Sequence, residues 1–208
     1  MTNRLPLFLL LILCALSVVS YINAYEIQVW WTEFLTAAIP TTAFALTYKK
    51  FRFSNIGYCI FFAWCVLQLI GAQYTFERVP FDAITNFFGF ERNHYDRLAH
   101  FTVGCCAFLF CEFVYRKCLV SGKFMASLFG VISVMALANA WELIEWIYAE
   151  IDGGSAGLAF LGSQGDIWDA QKDMLMDTLG AICASILFYF CAGKPSTRLI
   201  AQNKRKTY

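Results

Sequence analysis

The sequence predicts an all-α polytopic membrane protein, and its composition, its low charge and its apolar stretches all favour this fold class. Hydrophobic residues make up 59% of the 208 residues and charged residues only 15%, with a mean hydropathy of +0.56. Globular proteins carry about 25% charged residues, so a soluble domain of this size would lack polar groups to cover its surface. A net charge of +1 gives no reason to expect a nucleic-acid partner. We therefore expect a single integral membrane domain over residues 1–208, with the lipid bilayer as its surroundings.

Six apolar stretches are long enough to cross a bilayer as helices. A hydrocarbon core of about 30 Å needs roughly 20 apolar residues in helical conformation. Helices are expected because lipid offers no hydrogen-bond partners to backbone amide and carbonyl groups, so each span must satisfy its own. The expected spans are 5–24, 29–48, 53–73, 95–115, 124–148 and 174–192.

The first stretch admits two interpretations. Arg4 followed by an apolar run is also typical of a secretory signal peptide. Cleavage after Ala24 would place Ile22 at a position that requires a small residue. We therefore expect an uncleaved first helix.

The distribution of Lys and Arg predicts which side of the membrane each segment faces. Segments rich in these residues tend to stay in the cytoplasm. With six spans, twelve of the sixteen basic residues lie at the termini, between spans two and three, and between spans four and five. The opposite side holds only Arg78, Arg92, Arg97 and Lys172. Both termini are therefore expected in the cytoplasm, and nearly all of the acidic residues fall on the outer side.

Three sets of polar residues lie at or just inside the outer ends of the last three spans. The first set opens the fourth span, the second lies in the outer half of the fifth, and the third leads into the sixth. Asp96 and His100 are four residues apart and are expected to share a helix face, and Asp169, Asp173 and Asp177 are spaced by four, so a continuous helix would align them along one stripe. The sets are Asp96, Arg97 and His100; Asn139, Glu142 and Glu145; and Asp166, Asp169, Asp173 and Asp177.

If the last three spans pack together, these sets form one acidic pocket near the outer surface. A charged side chain in hydrocarbon costs about 2.5–3.5 kcal/mol on insertion scales, so such residues need partners. Three remedies are open: protonated carboxyl groups, pairing with Arg97 and His100, or a bound cation. The plainest alternative is that these residues only tie helix ends together. Arg92 and His94 are expected to be solvated loop residues.

The order and spacing of these residues resemble a known family. The segments that carry the resemblance are DRLAH at 96–100, ELIE at 142–145 and DMLMDTLG at 173–180. The whole chain resembles the YjdF family of bacterial inner-membrane proteins, and roughly residues 93–185 are similar to the wider VanZ-like group. The resemblance implies a multi-pass protein of the bacterial inner membrane and no particular reaction. Glu145 and Asp177 stand where the VanZ-like pattern more often has Gln and Asn, so this pocket is more acidic.

The first of three candidate functions is a membrane-embedded enzyme at the outer leaflet. It would carry out metal-assisted hydrolysis or transfer on a lipid-linked or envelope substrate. His100, Asp96 and Glu142 are its candidate catalytic residues, with Asp96 orienting the imidazole ring. Arg97 and Asn139 are assigned to substrate binding, and Arg97 would hold an anionic headgroup. The candidate ligands of a divalent cation such as Mg²⁺, Mn²⁺ or Zn²⁺ are His100, Glu142, Glu145, Asp173 and Asp177.

Two other functions compete with the enzyme. A proton- or ion-coupled transporter also uses intramembrane acids and histidine, but its path needs polar groups in the inner half of the membrane. Gln68 and Gln73 in the third span are the other notable candidates for such a path. A non-catalytic module that binds lipid or another membrane protein is the third possibility.

Overall fold

The computed structural model describes residues 4–152, 154, 157 and 160–193, and this part of the chain is helical, with no strand. The all-α fold expected from the composition is therefore confirmed. The helices are α1 (Leu5–Ile22), α2 (Ile27–Thr47), α3 (Asn55–Tyr74), α4 (Asp82–Phe88), α5 (Tyr95–Gly104), α6 (Ala107–Arg116), α7 (Gly122–Asp152) and α8 (Asp169–Cys191), and a 3₁₀ turn covers Phe76–Arg78.

Among the described residues, five segments are long and apolar enough to cross a membrane. They are α1, α3, α5 together with α6, α7 and α8, and each falls on an expected span. Helix α2 is 21 residues long but does not reach the same hydropathy, because it contains Glu33, Pro40 and five threonines. A sixth span and the cytoplasmic position of both termini stay predictions.

Two boundaries differ from the expected spans. Helix α8 begins at Asp169 instead of 174, so Asp169 and Asp173 lie within the helix. An acidic side chain in the first turn favours this start, because it faces the positive end of the helix dipole. The fourth span, expected to be continuous, is divided after Gly104. There the Cys106 amide donates to the Val103 carbonyl at 2.8 Å, which is the tighter hydrogen-bond pattern of a 3₁₀ turn.

Apolar clusters fill the interior on both sides of the bundle. Helices α6, α7 and α8 share one cluster, and α1, α2, α3 and the start of α6 share the other. Small side chains in both clusters allow close helix packing, as is typical inside membranes. Representative buried members are Ala107, Cys111, Ala126, Ala184 and Phe188 in the first, and Leu13, Ala37, Cys65 and Leu69 in the second.

Helices α5 and α8 cross with their backbones in contact at two glycines. A Cβ atom added to Gly104 would lie 2.2 Å from the carbonyl oxygen of Asp177. A Cβ atom added to Gly180 would lie 2.0 Å from the carbonyl oxygen of Phe101. No side chain fits at either position, so glycine permits this crossing. The crossing brings the polar faces of α5 and α8 together.

A carboxylate ties the loop before α3 to α6 at the opposite end of the bundle. The backbone amide and the hydroxyl of Ser54 donate to the two carboxylate oxygens of Glu112, at 2.8 and 2.9 Å. Arg116 donates to the same carboxylate. This acid therefore has its partners at the helix ends and lies apart from the polar sets of α5, α7 and α8.

Candidate functional site

A cavity of about 240 Å³ lies between α2, α3, α5, α6 and α7, with one residue of α8 in its wall. Its deeper wall is apolar and includes Val103, Phe110 and Val134. The rest of the wall carries polar or charged side chains that can donate or accept hydrogen bonds. These include Glu33, Thr36, Gln68, Asp96, His100, Glu145 and Asp177.

The imidazole of His100 is surrounded by carboxylates from its own helix and from α8. Its Nδ1 atom lies 3.0 Å from Oδ2 of Asp177. Its Nε2 atom lies 3.6 Å from Oδ1 of Asp96 and 3.8 Å from Oδ1 of Asp173. With the Nδ1 proton donated to Asp177, the lone pair of Nε2 faces the two remaining carboxylates.

Arg97 pairs with two acids that are one turn apart on α8. Its guanidinium contacts Oδ1 of Asp169 through Nη2 and Oδ1 of Asp173 through Nη1. All three residues are buried. Because both ends of the guanidinium are engaged, Arg97 fixes the position of α8 relative to α5.

Arg92 was expected in a solvated loop, and this expectation is wrong. Its Nη1 atom donates to Oδ1 of Asp169 at 2.7 Å and to the Ser163 carbonyl at 3.0 Å. Asp166 lies 3.5 Å from the same guanidinium and accepts a hydrogen bond from Lys172 at 2.6 Å. The hydrogen bond from Lys172 holds the pKa of Asp166 below its usual value. The acids Asp166, Asp169 and Asp173 therefore face an equal number of bases.

The acids of α7 have no such partners. Glu142 and Glu145 are both more than nine-tenths buried. The Oε1 atom of Glu142 and the Oδ1 atom of Asp177 have no hydrogen-bond partner among the described residues. Glu145 lines the cavity, and Glu142 lies within electrostatic range of His100 and Asp173. This side of the pocket carries carboxylates without matching bases.

Glu33 of α2 extends the acidic wall, and the sequence analysis missed it. It is 3% exposed and accepts a hydrogen bond from Nε2 of Gln68 at 2.7 Å. A lone carboxylate in an otherwise uncharged stretch was the available signal, because such a residue normally marks a functional pathway or pocket. Gln68 belongs to the same wall and does not lead into the other half of the bundle.

Asn139 does not reach the pocket, so its expected place beside Glu142 and Glu145 is wrong. It lies on the exposed face of α7. A helix turns by about 100° per residue, so Asn139 lies roughly 120° around the axis from Glu145. The cavity wall instead uses Val134, Ala138 and Trp141, whose spacing keeps them close to the direction of Glu145.

One group of side chains in the described residues has the arrangement of a metal site. Asp96, His100 and Asp173 each offer one ligand atom, and these atoms lie within 4.8 Å of one another. Two of these residues, His100 and Asp173, were among the sequence-predicted ligands. Asp96 was expected to orient His100, but the shorter contact to the ring comes from Asp177. Of the other predicted ligands, Asp177 contacts His100 at 3.0 Å and Glu145 lines the same cavity, whereas Glu142 belongs neither to this group nor to the cavity wall.

Comparisons with known proteins agree with a membrane protein and leave its chemistry open. The family described as "Predicted membrane protein (DUF2238)" matches residues 5–194. Inner membrane protein YjdF of Escherichia coli (strain K12) is 31% identical over 187 residues, covering 89% of this chain and 86% of that protein. No solved structure matches the chain.

Proposed function

The chain belongs to the DUF2238 family of predicted membrane proteins, and from the pocket within its helices we propose that it is a membrane-embedded, metal-dependent hydrolase or transferase. Its substrate is a lipid-linked phosphate ester, and the reaction takes place near the outer surface of the bacterial inner membrane. The observation that carries the proposal is the group of Asp96, His100 and Asp173 beside a largely apolar cavity.

The charge balance of the pocket favours a bound cation. The acids near Arg92, Arg97 and Lys172 are matched by bases. Towards the cavity, the described residues offer only His100 to balance the carboxylates. A buried charge without a partner costs several kcal/mol, and a divalent cation would offset this cost. The carboxylates that gain from it are Glu33, Asp96, Glu142, Glu145 and Asp177.

The ligand chemistry fits a borderline or hard divalent ion. Two carboxylates and one imidazole suit Mn²⁺ or Zn²⁺, and Mg²⁺ accepts the carboxylates. Asp177 would hold the Nδ1 proton of His100, which directs Nε2 at the ion. This carboxylate–histidine–metal arrangement recurs in protein metal sites. Asp177 is therefore proposed as the residue that orients His100, and Asp96 as a ligand.

Glu145 is the better placed of the two α7 acids to serve as general base. Glu145 lines the cavity, whereas Glu142 is not among the residues of its wall. In the proposed hydrolysis, Glu145 takes a proton from water while the water oxygen attacks phosphorus. The bond from phosphorus to the leaving oxygen breaks, and Glu145 returns the proton to that oxygen. The metal would supply charge stabilisation at the phosphoryl oxygens.

The walls of the cavity favour a substrate that arrives from the lipid. Helix α2 packs on α3, whereas α7 packs on α6 and α8. In the described chain, α2 and α7 therefore both line the cavity but do not pack along each other. Leu137 of α7 lines the cavity and is 56% exposed. An acyl or polyprenyl chain can therefore lie along this wall with its phosphate near His100.

The interior beyond the cavity argues against a transport path. Past Phe110 and Val134 the bundle is filled by apolar side chains such as Phe108 and Phe188. The next buried acid, Glu112, is held by Ser54 and Arg116. The described residues thus offer no polar route from the cavity to the other end of the bundle.

Removing a ligand should abolish metal binding. We expect the purified, chelator-treated protein in detergent to bind about one Mn²⁺ or Zn²⁺, and His100→Ala and Asp96→Asn to lose this binding, because three ligands are the usual minimum for a catalytic site. Calorimetric titration and metal analysis after gel filtration measure the stoichiometry. His94→Ala is the matched control, because it removes the chain's other histidine, which lies outside the group.

The same preparations separate the enzyme from its competitors. Unchanged binding in both ligand variants would refute the metal site. Metal binding without release of headgroup from any phosphate ester of a bacterial lipid extract would leave a binding module. Metal flux into sealed vesicles would favour a transporter.

A further inference from the structure

A second, larger cavity lies between α1, α2 and α3, away from the acidic pocket. It has a volume of about 630 Å³, within the range of small-molecule sites. Helices α1 and α2 both pack on α3 and contact each other only slightly, which leaves an open groove between them. Apolar side chains form most of its walls, including Leu10, Leu13, Phe44 and Phe61. We call this cavity the α1–α2 groove.

Two guanidinium groups lie at one end of the α1–α2 groove. Arg4, just before α1, and Arg52, just before α3, both line it. Both are exposed, and neither forms an ion pair with an acid within the described chain. Arg52 lies over the ring of Tyr48, with Cζ 4.7 Å from the ring centroid, which positions the guanidinium at the mouth of the groove. The mouth therefore carries two positive charges that no carboxylate of the described residues neutralises.

The groove continues along the helices towards the middle of the bundle. A cavity of about 260 Å³ shares Leu10, Leu13, Thr41 and Ala45 with it and extends to Ser17. From Arg4 to Ser17 the chain rises roughly 20 Å, at about 1.5 Å per helical residue. One leaflet contributes about half of a 30 Å hydrocarbon core. The apolar track is thus as long as one acyl chain in one leaflet.

We infer that the α1–α2 groove binds an anionic phospholipid, with the phosphate between Arg4 and Arg52 and one acyl chain along α1 and α2. The arginines supply charge-assisted hydrogen bonds to phosphate oxygens, and the apolar walls bury the chain. Anionic lipids are enriched in the cytoplasmic leaflet, which is the side where the basic residues place this end of the bundle. This site is independent of the metal centre proposed above.

The test compares lipids on the purified full-length protein in a non-ionic detergent. Phosphatidylglycerol should raise the melting temperature in a saturable manner, since a ligand of the folded state stabilises it. Phosphatidylcholine and inorganic phosphate should have no comparable effect. An equal shift with phosphatidylcholine would mean that only the hydrocarbon matters, and an equal shift with phosphate would mean that no lipid is required. Either result overturns the proposal.

Charge-matched variants locate the site. The double variant Arg4→Gln/Arg52→Gln should weaken phosphatidylglycerol binding by about tenfold or more, because both charge-assisted contacts are lost. The control Lys49→Gln/Lys50→Gln also removes two positive charges near the mouth of the groove, but neither lysine lines the groove. Because exposed charges interact weakly, this control should change the affinity for phosphatidylglycerol by less than about twofold. Equal losses in both pairs would show general attraction to a basic surface and overturn the proposal.

A steric variant tests the groove without altering its charge. Ala45 lines the groove, so Ala45→Phe should fill it and reduce lipid binding. The control is Ala43→Phe, at an exposed position of the same helix that does not line the groove, and it should leave lipid binding unchanged. Wild-type affinity in a folded Ala45→Phe protein would contradict an acyl chain at this place. This pair remains decisive if the arginine variants fail to fold.

Discussion

Replacing Arg97 with Met should destabilise the protein by about 3–5 kcal/mol, the cost of breaking a buried ion pair by removing one partner. Arg97 pairs with Asp169 and Asp173, and all three side chains are buried. Methionine retains much of the length and apolar stem, so the effect reports mainly the lost charge. Asp173 would remain inside the bundle without a guanidinium partner, 3.8 Å from Nε2 of His100.

Denaturant- or heat-induced unfolding in detergent measures this loss. Arg78→Met is the matched control, because Arg78 is exposed and, among the acids of the described residues, pairs only with its neighbour Glu77. Its effect should stay within about 0.5 kcal/mol, as for most surface substitutions. Adding Asp173→Asn to Arg97→Met should recover part of the stability, since the stranded charge is removed. A loss below about 1 kcal/mol in Arg97→Met, or no recovery in the double variant, would contradict the proposed electrostatics of the α5–α8 contact.

Five of the spans and the polar residues of α5, α7 and α8 could be predicted because they depend on local pattern. A continuous apolar run determines a membrane helix, and the hydrophobic period identifies the acids that cannot face lipid. Glu142, Glu145, Asp173 and Asp177 were selected in this way, and all four are buried. The expected start of α8 at residue 174 was too late, because hydropathy marks only where the apolar residues begin. The helix itself begins earlier, at an acidic first turn that starts with Asp169.

Other features depend on which helices become neighbours, and pattern alone does not determine this. Glu33 reaches the pocket only because α2 packs on α3 near Gln68. Arg92 is held because the segment before α8 folds over it, through the Ser163 carbonyl and Asp169. Asn139 was grouped with Glu142 and Glu145 because it lies in the same half of the span, but each three-residue step on a helix drifts by about 60° around the axis. The roles proposed for Asp96 and Asp177 differ from the expected ones because of the orientation of the His100 ring, which the sequence does not specify.

Substituting Ala for Gly180 should separate α5 from α8 and damage the proposed metal site as well as the fold. The new methyl group would lie 2.0 Å from the Phe101 carbonyl oxygen and 3.1 Å from the Cys105 amide nitrogen. Both neighbours are backbone atoms, so no side chain can rotate away. We expect a loss of about 1–3 kcal/mol or more, as for overpacking in a close-packed interior. Because His100 and Asp177 lie beside this crossing, their 3.0 Å contact should lengthen, and metal affinity should fall with stability.

The two glycines provide an internal test of this geometry. Gly104→Ala should have a similar effect, because its methyl group would meet the Asp177 carbonyl at 2.2 Å. Once the helices have separated to accept one methyl group, the second costs less, so the double variant should be clearly less destabilised than the sum of the single variants. Gly193→Ala is the control, since an added Cβ there meets nothing within 4 Å. Additive losses would show that the glycines act at separate places. Wild-type stability in Gly180→Ala would show that α5 and α8 are not in backbone contact, and the placement of His100 against Asp173 and Asp177 would lose its structural basis.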